Sequence, residues 1–117
     1  MKINKNNAGL TAETIAATFL QNKGLKLVAQ NYHCRFGEID LIMKDASTLV
    51  FVEVRLRTNL QFGGAGASIT LQKQKRLIAT AQHYLQPNNN IDCRFDAVLM
   101  NKADLNHVEW VRNAFDA

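Results

Sequence analysis

A chain of 117 residues with 47% apolar and 21% charged residues is long enough to bury a core without disulfides, and its composition excludes disorder. Lys and Arg total 14 against 10 Asp and Glu, and the formal charge of +4 leans modestly toward an anionic partner such as nucleic acid. No stretch approaches the roughly 18 apolar residues that suggest a membrane span, and the opening MKINKNNAGL carries no apolar run resembling a signal peptide.

The first ten residues are polar and read as frayed. A helix is expected from Thr11, with Thr11 as cap, Glu13 in its first turn and an apolar stripe of Ile15, Phe19 and Leu20. Gly24 is placed as its C-terminal glycine. Three strands follow, over about Lys26–Tyr32, Glu38–Lys44 and Leu49–Arg57, with Gly37 between the first two. Asp45-Ala46-Ser47-Thr48 forms the hairpin loop between the second and third. Residues Thr58–Ala67 hold Gly63, Gly64 and Gly66 and read as a flexible loop without P-loop spacing. A second helix is expected from about Thr70 to Gln86, its core stripe running through Leu71, Ile78 and Leu85, joined by Leu77, Ala81 and Tyr84. Asp92–Met100 reads as a fourth strand and His107–Val111 as a fifth. The order αβββαββ predicts a mixed sheet, the first three strands a meander and the second helix crossing over to the fourth. We find no repeat or linker, so the whole chain, 1–117, reads as one domain. Cys34 and Cys93 show no metal spacing and are expected as free thiols in a reducing cytoplasm.

Strand alternation carries the first functional hint. In LVFVEVRLR, Val50, Val52, Val54 and Leu56 share one face, and Phe51, Glu53, Arg55 and Arg57 the other. In EIDLIM, Ile39, Leu41 and Met43 share the apolar face, opposite Glu38 and Asp40. With the shortest loop, centred on Ala46-Ser47, Asp40 comes opposite Glu53 and Glu38 opposite Arg55. Two carboxylates facing one another in a sheet destabilise it, and a divalent cation would offset that. A solvated lattice of cross-strand ion pairs accounts for the same residues equally well at this stage.

GEIDLI at Gly37–Ile42 followed by FVEVR at Phe51–Arg55 resembles the YraN-like family of bacterial proteins. The likeness extends over nearly the whole chain, through Gly9, Ala12-Glu13, the Lys75 region, Arg94-Phe95-Asp96 and Asn113-Ala114-Phe115. That family is in turn similar to restriction-endonuclease-like nucleases, the archaeal Holliday-junction resolvases above all. The resemblance implies a restriction-endonuclease-like α/β fold and hydrolysis of DNA phosphodiesters, in branched or structured DNA, since resolvases cut branched DNA. It also implies a Mg²⁺ or Mn²⁺ site with Asp40, Glu53 and the backbone carbonyl of Val54 as ligands and Glu13 beside it. Resolvases act as dimers, which makes a homodimer part of the same expectation. The departure is Arg55, which stands where the nuclease pattern has lysine. Arginine stays protonated and cannot serve as a base, although it can clamp a phosphate. The catalytic set implied is therefore Glu13, Asp40, Glu53 and Arg55. A retained fold that binds nucleic acid without cutting it is the alternative, and a protein-interaction domain a third.

Arg55, Arg57, Lys73, Lys75 and Arg76 are candidates to track a phosphate backbone, although a helical lysine is more often simply solvated. Lys75 is also a candidate substitute for the missing motif lysine. His33, His83 and His107 lack ligand spacing and are expected to be structural or exposed. Asp96 either braces the sheet or reaches the site, and Trp110 and Phe115 are expected in the core.

Overall fold

The computed structural model describes residues 7–56, 69–86, 90–101 and 105–116. Its elements are α1 (Asn7–Asn22), β1 (Lys26–Cys34), β2 (Gly37–Asp45), β3 (Thr48–Leu56), α2 (Leu71–Leu85), β4 (Cys93–Met100), a 3₁₀ turn (Leu105–His107) and β5 (Val108–Phe115). The five strands lie in the sheet in chain order. All neighbours are antiparallel except β3 and β4, which run parallel and are joined through α2. This is the expected αβββαββ arrangement, a mixed sheet flanked by helices.

Each helix covers one face. α1 buries Ala12, Ala16, Ala17 and Leu20 against Leu41, Met43, Val50, Val52, Val98 and Met100. On the other face, Leu77 and Ala81 of α2 pack on Ile39, Ile42, Phe51, Phe95 and Leu99. A strand covered on both sides needs an unbroken apolar run, and Leu49-Val50-Phe51-Val52 supplies one up to the buried Glu53. Four expectations change here. Helix α1 begins at Asn7, so Thr11 is an interior position and Glu13 lies in the second turn. Ala8 and Leu10 are strong helix formers, and the roughly 1 kcal/mol cost of Gly9 does not stop the helix. The row Leu71, Ile78 and Leu85 is not the centre of the buried face of α2. At 3.6 residues per turn it lies about 100° around from Leu77, Ala81 and Tyr84, and Leu71 is left 66% exposed. Ile39 does not join Leu41 and Met43 but packs with Ile42 under α2. Finally, the face bearing Phe51 and Glu53 is covered by α2 rather than solvated, because a crossover between parallel strands must lie over one face of the sheet.

Turn chemistry follows the sequence closely. Gly24 has φ +102° and closes α1 with Gly24 N–H on Gln21 C=O and Leu25 N–H on Leu20 C=O. Asp45 pairs with Thr48 across Ala46-Ser47, and from there the register runs through Met43↔Val50 to Leu41↔Val52. At Gly37, with φ +149°, a Cβ would lie 3.2 Å from Thr80 Oγ1 and any other residue would be strained, so glycine suits the close approach of the β1–β2 hairpin to α2.

Buried Asp96 braces the fold rather than the site. It shares the α1 face with Val52, its parallel neighbour, and is 1% exposed. Arg94 Nε donates to both its oxygens at 3.0 and 3.2 Å, Trp110 Nε1 at 2.9 Å and the Asn113 amide at 3.0 Å. The pairing of β4 with β5 shifts between Phe95↔Phe115 and Ala97↔Val111, and Asn113 adopts φ +52° there. The Asp96 carboxylate thus takes an amide that the irregular ladder leaves over. Trp110 and Phe115 pack against the two cores as expected. Cys34 and Cys93 are free.

Candidate functional site

Pairing of β2 with β3 stops at Leu41↔Val52, although each strand continues. Beyond that point β2 stays on β1 to Cys34↔Gly37, while β3 stays on β4 to Leu56↔Met100. The sheet therefore opens between its second and third strands. The next residues on the two sides are Asp40 and Glu53. The Asp40 carboxylate reaches across the opening and accepts the Val54 N–H at 2.8 Å, a bond that a neighbouring strand's carbonyl would otherwise supply. Glu53 is 8% exposed, and Lys73 in the first turn of α2 places Nζ 3.7 Å from its Oε2. Glu13, on the buried side of α1, is close enough to act electrostatically on Asp40.

Like charges brought together in a poorly hydrated opening resist ionisation. Asp40 is pushed up from 3.8 to about 7, first by burial, then by Glu53 and, more weakly, by Glu13 and Glu38. The Val54 hydrogen bond opposes the shift. Burial also raises Glu53, while Lys73 and Arg55 hold it down. Asp40 thus binds its proton more tightly folded than unfolded. The stabilisation from that proton is complete below about pH 4 and is lost as pH rises through about 7. Without divalent cations, thermal stability should fall between pH 5 and pH 8. At about 1.4 kcal/mol per pKa unit the fall amounts to a few kcal/mol, and differential scanning calorimetry across that window would measure it. A flat profile would show that the two carboxylates do not repel each other in solution.

The donor set suits a hard cation. Every donor is oxygen, as Mg²⁺ and Mn²⁺ prefer. Among the described residues no three His, Cys, Asp or Glu side chains converge closely enough to form a closed metal cluster. Two carboxylates with open remaining positions fit Mg²⁺, which keeps several waters and takes further oxygens from substrate phosphates.

A cleft of about 400 Å³ opens beside the carboxylates, lined by Glu53, Val54, Arg55, Thr70, Lys73 and Arg76 among others. The structure thus brings Asp40, Glu53, Val54, Arg55, Lys73 and Arg76 to one place, with Glu13 behind them. Lys75 is exposed and does not line the cleft. Arg57 and the glycine-rich loop lie outside the described residues. Glu38, expected level with Arg55, lies where β2 no longer pairs with β3; its Oε1 lies 2.7 Å from His33 Nε2. His83 accompanies Tyr32, and His107 ends the 3₁₀ turn.

Two residues do more than their sequence indicates. Lys73, by sequence a candidate contact to a phosphate backbone, is the lysine placed on Glu53; three residues past the Thr70 cap is the signal that fixes its position in the first turn. Asn31 lies between Gln30↔Leu41 and Tyr32↔Ile39, which puts it level with Asp40. It takes φ +53°, and its buried Oδ1 has no hydrogen-bond partner among the described residues. Asparagine inside a strand is disfavoured, and that was the available signal.

The model of Uncharacterised protein family UPF0102 matches residues 12–100. The chain belongs to that family. A UPF0102 protein of Nitrosomonas europaea is 58% identical to it over 94% of each chain. One from Methylobacillus flagellatus is 51% identical over 93% of this chain and 96% of its own, and one from Legionella pneumophila 47% over 93% and 94%. The matched span of this UPF0102 chain contains the carboxylates, the sheet opening and all of α2. Among its described residues no helix is long and apolar enough to cross a membrane.

Proposed function

We propose that the protein is a divalent-metal-dependent endonuclease that hydrolyses DNA phosphodiesters in the cytoplasm, with structured or branched DNA as substrate. The observation that carries this reading is the pair of carboxylates, Asp40 and Glu53, held together where the sheet opens and flanked by cations. A Mg²⁺ or Mn²⁺ ion bound there would neutralise phosphate charge and favour ionisation of water. Asp40 and Glu53 would hold it, with the Val54 carbonyl as a third ligand. Arg55 and Lys73 would contact the scissile phosphate and stabilise its added charge in the transition state. Arg76, farther along the cleft, would hold the adjoining phosphate. In the reaction the water oxygen bonds to phosphorus, the bond to the 3′-oxygen breaks, and that oxygen leaves with a proton.

Arg55 favours a second reading, a nucleic-acid-binding module that retains the fold without turnover. One assay separates them: wild type and Arg55→Lys on linear, nicked, single-stranded and four-way-junction DNA, at fixed salt because phosphate-driven affinity depends steeply on it. Wild type is expected to cut at least one of these with Mg²⁺ or Mn²⁺. Arg55→Lys should cut at least about tenfold faster at similar affinity, since the charge is kept and a group with an adjustable pKa is restored. Lys73→Met should slow cutting by a similar factor. Binding without cutting by both wild type and Arg55→Lys establishes the second reading, and no binding by either rejects both.

A further inference from the structure

Beside the carboxylate cleft lies a second pocket, of about 360 Å³, between the tip of the β1–β2 hairpin and α2. Its walls include Arg35, Phe36 and Gly37 from the hairpin and Lys73, Arg76 and Leu77 from the helix. Lys73 and Arg76 line both spaces and form the ridge between them. We propose that this pocket receives an unpaired nucleobase adjoining the phosphate at the carboxylates. The inference rests on the nuclease reading and names its substrate class: DNA in which the nucleotide next to the cut is unpaired or extruded.

The chemistry of the walls points to a nucleotide rather than to phosphate alone. Arg35, Lys73 and Arg76 would satisfy an anion by themselves, and an aromatic ring would be superfluous. Yet Phe36 is 40% exposed at the rim. Single exposed apolar residues are ordinary on protein surfaces. Phe36 differs in being held in place, with the Arg35 guanidinium 4.8 Å from its ring centroid and the His83 ring edge-on at 6.2 Å. Aromatic faces and arginine planes are the surfaces on which unpaired bases stack. The side chains of His33 and Glu38, in contact at 2.7 Å, line the same pocket and offer polar atoms to a base edge. The width of the pocket is set by Gly37, whose missing side chain lets the hairpin lie against Thr80 and Arg76. Its volume falls at the lower end of the roughly 300–1,000 Å³ of small-ligand sites. Bases stacked inside a duplex cannot enter such a pocket without leaving the stack.

Binding, not cleavage, tests the assignment. Wild type, Phe36→Ala and Phe36→Trp would be titrated without divalent cations, at one salt concentration, against polyglutamate and three DNA probes: a paired duplex, the same duplex with one unpaired 2-aminopurine, and a single strand. Wild type should prefer the two probes with unpaired bases and quench the 2-aminopurine. Phe36→Ala should lose roughly tenfold in affinity for those two and about twofold or less for the duplex, with quenching abolished. Phe36→Trp should restore both. Equal losses on all three probes, or none, overturn the pocket assignment while leaving the nuclease reading in place. Tighter binding of polyglutamate than of any DNA assigns the pocket to an acidic chain instead and overturns the proposal. Wild type that binds no DNA overturns the nuclease reading and this inference together. Urea midpoints of both variants verify that the hairpin is intact.

Discussion

Asp40→Asn should stabilise the cation-free protein at pH 8 and abolish any metal-dependent cleavage. The stability gain follows from the surroundings of the carboxylate. At pH 8 Asp40 is ionised against burial, Glu53, Glu13 and Glu38, with the Val54 N–H donating to it. Asparagine keeps an oxygen for that N–H at the same length and removes the charge. The gain should amount to a few kcal/mol at pH 8, by the value of about 1.4 kcal/mol per pKa unit, and shrink toward pH 5, where aspartate already carries its proton. The same substitution removes a charged oxygen ligand. Stabilisation by Mg²⁺ or Mn²⁺, expected in wild type as a rise in melting temperature with ion concentration, should need at least about tenfold more ion in the variant. DNA affinity should stay similar or tighten, because one negative charge leaves the cleft. Thermal melts at pH 5 and 8 over a Mn²⁺ titration give the stability and ion values, and a DNA titration at fixed salt gives the affinity. A variant less stable than wild type at pH 8 would mean that the Asp40 charge is compensated, and the repulsion argument would fail.

Asp96→Ala should be the most damaging single substitution in stability, by about 3–5 kcal/mol, the usual cost of breaking a buried charged pair. Four donated bonds end on this carboxylate. Its loss strands the Trp110 indole and the Asn113 amide, and leaves Arg94 with Asp45 at 3.0 Å as its remaining carboxylate. The urea midpoint should drop at unchanged slope, and melting should fall by roughly 10–20 °C. Asp96→Asn keeps the shape and one acceptor and should lose less. Should Asp96→Ala instead retain its stability and lose its response to Mn²⁺, Asp96 would belong to the metal site and not to the frame.

The residues of β2 and β3 by themselves determined the register. A two-residue turn at Ala46-Ser47 and a side-chain period of two leave little choice, and both are local, so the pairing up to Leu41↔Val52 could be set without knowledge of the rest of the chain, with Asp40 and Glu53 as the next residues on either side. Gly24 ended its helix for an equally local reason, its freedom at positive φ. Pattern alone did not distinguish a cation site from a solvated ion-pair lattice, because alternation tells which residues share a face and not what covers it. Only the tertiary structure decided that α2 closes over Phe51 and Glu53, that Lys73 faces the carboxylate and Lys75 does not, and that the sheet opens beyond Leu41 and Val52. Those outcomes depend on the rotation of a helix about its axis and on the partings of strands. Contacts between residues far apart in the chain, such as Gly37 with Thr80, Asn113 with Asp96 and Arg94 with Asp45, set them. The Phe36 pocket is of this second kind, since neither the hairpin nor the helix contains it alone.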